Sequence, residues 1–126
     1  MDIPALVEAA LSARGNAYAP YSGLRVGAAL LTADGEIITG VNVENVSFGA
    51  TCCAERTAIF SAVARGVRQF EAIAVASDLV KPIFPCGICR QVIAEFRIPR
   101  IIVCDEYGNY NIYRAAELLP HAFTEF

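Results

Sequence analysis

Two short stretches that contain cysteine constrain the fold more than any other feature of the chain. One is Cys53-Ala54-Glu55-Arg56, and the other, farther along, is Pro85-Cys86-Gly87-Ile88-Cys89-Arg90. Each follows turn-prone sequence and opens a segment with apolar residues at helical spacing, so each predicts the N-terminus of a helix. If the cysteines act together, the fold must bring these two helix starts to one place.

The side chains of these stretches are suited to bind one metal ion. Cys86 and Cys89 lie one helical turn apart and share a face, while Cys53 and Glu55 can converge on a point just beyond the end of their helix. Three thiolates beside a carboxylate indicate a catalytic zinc site, in which three protein ligands leave the fourth position to water. We therefore predict one zinc ion per chain, bound by Cys53, Cys86 and Cys89.

The position of these cysteines also favours their ionised form. A thiolate at the positive end of a helix dipole is stabilised, and its pKa falls. Three thiolates around Zn²⁺ nevertheless leave a net negative charge, which weakens the acidification of a bound water molecule. The cations adjacent in sequence are Arg56 and Arg90. We predict that Arg56 compensates the charge of the thiolates.

The same stretches resemble the signature of zinc-dependent deaminases, with Cys in place of the more common His. Further motifs make the resemblance more specific and extend it over nearly the whole chain: Pro20-Tyr21-Ser22, Val26-Gly27-Ala28-Ala29-Leu30, Asn42-Val43-Glu44-Asn45, Cys53-Ala54-Glu55-Arg56-Thr57-Ala58, Pro85-Cys86-Gly87, Cys89-Arg90-Gln91-Val92 and Glu117-Leu118-Leu119-Pro120. Together they are similar to the small, homotetrameric type of cytidine deaminase that acts in pyrimidine salvage.

The resemblance implies hydrolytic deamination of cytidine and 2′-deoxycytidine to the corresponding uridines and ammonia. It assigns Glu55 as the residue that takes a proton from water and delivers it to ring N3 and then to the departing amino group. It also implies that backbone groups around Ala54 bind the polar edge of the pyrimidine. Asn42 and Glu44, which project to the same face at a strand end, are implied to bind the ribose hydroxyls.

Three residues depart from the family pattern and leave the substrate preference of the pocket undetermined. Leu24 lies where the family usually has Phe, Phe48 where Tyr is common, and Phe84 replaces the small polar residue usual before Pro85. These changes affect the pocket wall and its entrance, so they bear on substrate preference and not on the metal or proton transfer. Near the C-terminus, Phe123 and Phe126 are either frayed ends or apolar lids on a neighbouring subunit's site.

Composition limits the other properties. We expect one catalytic domain over residues 1–126, and a hydrophobic share of 56% with 18% charged residues indicates apolar surface buried between subunits, in line with a homotetramer. A net charge of −3 argues against a nucleic-acid partner, and no uncharged run is long enough to span a membrane. Five cysteines without a secretory signal favour a reducing, cytoplasmic location.

The order of predicted elements indicates an α/β fold, a three-layer α-β-α sandwich with a mixed sheet of about five strands, as in cytidine deaminases. The short connection after Cys104 requires an antiparallel hairpin, which resembles free-nucleoside deaminases; polynucleotide-editing deaminases typically place a helix there. We predict strands at Val26–Thr32, Ile37–Val43, Ile73–Ser77, Arg100–Cys104 and Tyr110–Tyr113, and helices at Pro4–Leu11, Cys53–Arg65, Cys86–Phe96 and Ala115–Leu119.

Four alternatives remain open at this point. Within the enzyme class, the substrate could be a related amine-bearing nucleoside antibiotic such as blasticidin S. A zinc-stabilised binding module would want a fourth ligand, for which Cys104 and His121 are the spare candidates, and neither has ligand-like spacing. A thioredoxin-like role for the C-x-x-C motif would leave Cys53 and Glu55 without a purpose. Glu55 alone could be a solvated acid that favours the helix dipole. Cys52 is expected to be a bystander.

Overall fold

The computed structural model describes residues 1–126 and contains one five-stranded mixed sheet. Its strands lie in the order β2-β1-β3-β4-β5. Only β3 and β4 are parallel, and all other neighbours are antiparallel, including the predicted hairpin of β4 and β5. The strand bounds are β1 Val26–Thr32, β2 Ile37–Val41, β3 Phe70–Ser77, β4 Arg100–Cys104 and β5 Tyr110–Arg114.

Helices cover both faces of this sheet, as the predicted three-layer sandwich requires. The helices are α1 Ile3–Ala13, α2 Ala54–Ala64, α3 Gly87–Glu95 and α4 Ala115–Leu118. On one face, Leu6, Val7 and Ala10 of α1 pack on small residues of β3, among them Ala72 and Ala74. On the other face, buried side chains of α2 and α3 form the larger core with β1, β3 and β4. No helix combines the length and apolar character needed to cross a bilayer.

Strand β2 is two residues shorter than predicted because the chain changes partners after Val41. The backbone of Asn42 accepts a hydrogen bond from Tyr18 N at 2.9 Å, and Val43 exchanges backbone hydrogen bonds with Cys52 at 2.9 Å. Apart from the Asn42 N–H, which still donates to Val26 O at 3.3 Å, the backbone of residues 42–44 leaves the β1 ladder and pairs with the loop after α1 and with the segment before α2. This change of partners brings three separate parts of the chain to one end of the sheet.

Strand β3 begins three residues earlier than predicted. Phe70 pairs with Thr32 across an irregularity in β1, and its buried ring contacts Phe96 edge to face with centroids 5.9 Å apart. The exposed Glu71 interrupts the apolar pattern, so the sequence gives no signal for these first residues. Their pairing depends on packing against α3.

Strand β2 and helix α2 approach each other closely at Gly40. A Cβ built on Gly40 would lie 2.4 Å from the backbone N of Ala58 and 2.5 Å from the carbonyl O of Ala54. The hydroxyl of Thr57 accepts a hydrogen bond from Val41 N at 2.9 Å and donates to Val41 O at 2.8 Å. The absence of a side chain at Gly40 and the Thr57 bonds together fix the first turns of α2 on the sheet.

Candidate metal centre and active site

Helices α2 and α3 each begin directly after a cysteine. Cys53 and Cys86 occupy the N-cap positions with extended backbone, and neither uses its side chain to cap its helix. Both helices therefore start one residue later than predicted, which leaves the two thiols at the helix ends and free to bind another group. Cys89 lies in the first turn of α3.

The three predicted ligands meet at one point. Their Sγ atoms all lie within 4.8 Å of one another, and those of Cys53 and Cys86 are 3.8 Å apart. Sulfur ligands at about 2.3 Å from a tetrahedral zinc ion would be about 3.8 Å apart, which is the separation of Cys53 and Cys86, so the cluster is compact enough to hold zinc. Cys104 and His121, the spare ligands of a structural site, do not belong to the cluster.

The surroundings of the cluster favour ionisation of Cys53. A hydrogen bond from the Cys89 thiol, with further ones from Arg56 and Cys86, lowers the pKa of Cys53 well below its ordinary value. The same pairing with Cys53, together with burial, raises the pKa of Cys89. Cys53 therefore ionises before Cys89, and it is also the sulfur that lies next to a cation.

That cation is Arg56. Its Nη2 lies 3.5 Å from Cys53 Sγ, and its Nε is buried without a hydrogen-bond partner. Arg90, the other cation considered, points elsewhere: its Nε donates to Pro85 O at 2.7 Å and its Nη1 to Leu118 O at 2.8 Å. Arg56 therefore lies beside the thiolates, whereas Arg90 binds the carbonyl of Pro85 and holds the backbone before Cys86.

Glu55 is buried and only 4% exposed. Burial, more than any other cause, raises the pKa of its carboxyl to about 7, and the nearby charge of Cys53 acts in the same direction. A carboxyl group with a pKa near neutrality can both accept and donate a proton during a reaction. Because Glu55 is buried, it is not the solvated acid at a helix start that was the alternative interpretation.

A cavity of about 220 Å³ opens over these groups. The cavity brings together Glu55 and two of the predicted ligands with Ala54, Asn42 and Glu44. Its remaining walls are mainly apolar, and no Lys or Arg lines it. The lining residues are Ser22, Leu24, Val26, Asn42, Glu44, Thr51, Cys53, Ala54, Glu55, Val75, Ile83, Phe84 and Cys86.

Asn42 and Glu44 are held by the loop that follows α1. The side chain of Asn42 accepts a hydrogen bond from Val26 N at 2.9 Å and donates one to Leu24 O at 2.8 Å. The Glu44 carboxylate accepts hydrogen bonds from the backbone N of Tyr21 at 2.9 Å and of Ser22 at 3.1 Å, and from the Ser22 hydroxyl. Hydrogen bonding, with that hydroxyl as the main cause, lowers the pKa of Glu44.

Sequence reasoning did not assign Ser22 to the site, although the Pro20-Tyr21-Ser22 motif of the family resemblance contains it, because a serine in a turn has no periodic signal of its own. Of the three residues that depart from the family pattern, two line the cavity and one does not. Leu24 and Phe84 line the cavity, and the Phe84 ring contacts Tyr113 with centroids 5.1 Å apart. Phe48 lies outside it, in an adjoining groove that also includes Ser22 and Glu44.

The other residues considered lie away from this cavity. Cys52 is next to a ligand but pairs through its backbone with Val43, and Cys104 is buried in the core. The rings of Phe123 and Phe126 contact each other edge to face with centroids 5.5 Å apart. Both rings are exposed, and neither lines the cavity of the same chain.

Comparisons with known proteins agree with this geometry. The family model described as the cytidine and deoxycytidylate deaminase zinc-binding region matches residues 2–105. A cytidine deaminase of Halalkalibacterium halodurans is 48% identical over 126 residues, covering 98% of this chain and 96% of that protein. The crystal structure of cytidine deaminase from Burkholderia pseudomallei matches with a TM-score of 0.93 at 50% identity, covering 98% of this chain and 100% of that one.

A more distant relative bears on the alternative substrate. The blasticidin-S deaminase of Bacillus cereus is 35% identical over 107 residues, covering 79% of this chain and 76% of that protein. The cytidine deaminases of Halalkalibacterium halodurans and Burkholderia pseudomallei are more similar to this chain and match over more of it. The family match, the three-cysteine cluster and the shared fold show that this chain belongs to the zinc-binding cytidine and deoxycytidylate deaminase family.

Proposed function

We propose that this chain catalyses the hydrolytic deamination of cytidine and 2′-deoxycytidine, with release of ammonia. The observation that carries the proposal is the buried Glu55 carboxyl in one cavity with Cys53 and Cys86, two members of the cluster of three thiols. A zinc site with a non-ligating glutamate is the combination that nucleobase deaminases use. The names of the most similar relatives support a cytosine nucleoside over the antibiotic blasticidin S.

The mechanism assigns proton transfer to Glu55. Cys53, Cys86 and Cys89 would hold Zn²⁺, which when bound supplies a Lewis acid that lowers the pKa of water. Glu55 accepts a proton from water and donates it to ring N3, which makes C4 electrophilic. Once the water oxygen has bonded to C4, Glu55 takes the second proton of that oxygen and passes it to the amino group, and the C4–N bond breaks to release ammonia. Arg56 offsets the charge of the thiolates throughout.

The cavity supports a free nucleoside as the substrate. Asn42 and Glu44 bind the sugar hydroxyls, and backbone groups around Ala54 bind the polar edge of the pyrimidine. Because no Lys or Arg lines the cavity, nothing there offsets the charge of a phosphate group. The substrate is therefore the nucleoside and not a nucleotide or a polynucleotide.

We further propose that the chain forms a single catalytic domain of residues 1–126 that assembles as a homotetramer in the cytoplasm. Large apolar side chains near the metal centre are exposed, among them Val46 at 77%, Phe48 at 77% and Ile88 at 62%. Subunit contacts would cover such side chains. Light scattering at micromolar concentration tests the assembly, and a fully active monomer would contradict it.

The function is tested by ammonia release from purified protein. We expect cytidine and 2′-deoxycytidine to be deaminated, free cytosine to be poor because it lacks the sugar contacts, and chelation of zinc to abolish the reaction. Higher kcat/KM for blasticidin S than for cytidine would transfer the assignment to the antibiotic. Protein that binds zinc but releases no ammonia from any of these compounds would be a binding module.

A further inference from the structure

Ser22 connects the two side chains that are proposed to bind the sugar. Its Oγ donates a hydrogen bond to Glu44 Oε2 and accepts one from Leu24 N at 3.0 Å. The carbonyl of Leu24 in turn accepts a hydrogen bond from Asn42 Nδ2 at 2.8 Å. Hydrogen bonds therefore tie Glu44 to Ser22, Ser22 to the Leu24 N–H, and Asn42 to the Leu24 carbonyl, so the backbone of Leu24 links the two side chains along the wall of the cavity.

The number of acceptor positions on Glu44 shows what Ser22 does. A carboxylate has about four positions for hydrogen bonds, two on each oxygen. The backbone N atoms of Tyr21 and Ser22 occupy both positions on Oε1, and the Ser22 hydroxyl occupies one on Oε2. One acceptor position on Oε2 remains, and Ser22 fixes its direction.

Asn42 offers a matching donor. One hydrogen of its Nδ2 bonds to Leu24 O, and the other remains for a ligand. Because both side chains line one cavity, this donor and the free acceptor position of Glu44 are both available to the substrate's sugar. A hydrogen bond to that acceptor position depends on the angle of the carboxylate, which the Ser22 hydroxyl sets.

We propose that Ser22 is a positioning residue that orients the Glu44 carboxylate for recognition of a sugar hydroxyl, an inference that rests on the proposed function. Without the Ser22 hydroxyl, the carboxylate loses its third tether and its two remaining acceptor positions on Oε2 become equivalent. Substrates that carry the recognised hydroxyl, taken here as the 3′-hydroxyl of the sugar, are then bound less well. Substrates that lack it are unaffected, because they make no contact through Glu44.

The test compares 2′-deoxycytidine with 2′,3′-dideoxycytidine in the zinc-loaded enzyme. Ser22→Ala is expected to lower kcat/KM for 2′-deoxycytidine about tenfold, mainly through KM, as expected for the loss of one hydrogen bond to a charged group. For 2′,3′-dideoxycytidine the change should stay below about twofold. Ser22→Thr keeps a hydroxyl and should restore the preference. Ser61→Ala, an exposed serine on α2, is the matched control and should change neither substrate.

A second measurement tests whether Ser22 acts through Glu44. In a Glu44→Gln background, addition of Ser22→Ala should change kcat/KM for 2′-deoxycytidine by less than about twofold, because the orientated carboxylate is already gone. Equal losses on both substrates, no loss on either, or an undiminished effect in the Glu44→Gln background would overturn the positioning role while leaving the deaminase assignment intact. A wild-type enzyme that deaminates no cytosine nucleoside would overturn both.

Discussion

The close contact between β2 and α2 makes Gly40→Ala a direct test of how the fold positions the site. The new Cβ would lie 2.4 Å from Ala58 N and 2.5 Å from Ala54 O. Ordinary contact begins at 3.4 Å, so the helix must move away from the strand by about 1 Å. Both of these atoms belong to the backbone of α2, and a change of side-chain rotamer cannot relieve the clash.

Two opposing effects determine the change in stability. Overpacking of this kind costs about 1–3 kcal/mol, whereas replacing glycine lowers the entropy of the unfolded chain and returns about 0.4–1 kcal/mol. The two ranges leave a net loss of up to about 2.6 kcal/mol, and we expect Tm to fall by up to about 10 °C. The effect on activity should be greater, because Cys53 and Glu55 lie at the displaced end of α2. A misplacement of about 1 Å can lower kcat/KM about a hundredfold.

Thermal unfolding and steady-state deamination of cytidine measure these two effects. Gly15→Ala is the matched control, since a Cβ at Gly15 meets nothing within 4 Å and the position has no positive φ. We expect Gly15→Ala to retain the kcat/KM of the wild type and to raise Tm by a few degrees at most, because it gains the same unfolded-chain entropy term of about 0.4–1 kcal/mol without a clash. If Gly40→Ala behaved like this control, the contact between β2 and α2 would not be what positions the site.

Three further predictions concern the chemistry. Cys52→Ala should retain zinc and activity whereas Cys53→Ala should lose both, as measured by metal analysis; equal zinc loss would refute the ligand assignment. Glu55→Gln should keep zinc and fold but lower kcat about 10⁴-fold, at the upper end for an acid–base group because it moves several protons; a variant with a tenth of normal turnover would rule Glu55 out. Cytidine 3′-phosphate and single-stranded oligonucleotides should show kcat/KM at least about tenfold below that of cytidine, because Glu44 repels a phosphate; comparable values would place the chain among polynucleotide-editing deaminases.

Local signals in the sequence were sufficient for most of the fold. Helices α2 and α3 begin within one residue of the predicted starts, because a turn, a cysteine and an apolar periodicity mark each start. Strands β1 and β4 have the predicted bounds. The errors fall where pairing depends on distant residues: the early start of β3 at Phe70 depends on Thr32, and β2 ends early because residues 42–44 pair elsewhere.

The residues of the site were likewise predictable where local signals place them, and not where contacts between distant parts of the chain do. The positions of the three cysteines follow from helix starts and turn spacing, so their convergence was predictable from sequence. The role of Arg90 was not, since its bonds to Pro85 O and Leu118 O depend on the path of the C-terminal segment. Ser22 lies in one of the family motifs, but its contact with Glu44 was not predictable, because only the folded chain brings together these residues, which are 22 positions apart.

The way α3 holds the C-terminal segment has a consequence for how this protein can vary. Arg90 donates to the carbonyl of Leu118 and Gln91 Nε2 to the carbonyl of Phe123 at 2.6 Å. Both acceptors are backbone atoms, which every amino acid supplies. Mutations can therefore replace the exposed side chains that follow Leu119 while the path of the segment along α3 is preserved. The C-terminus is thus a part of the protein where new surface chemistry can evolve, or be engineered, without rebuilding the catalytic core.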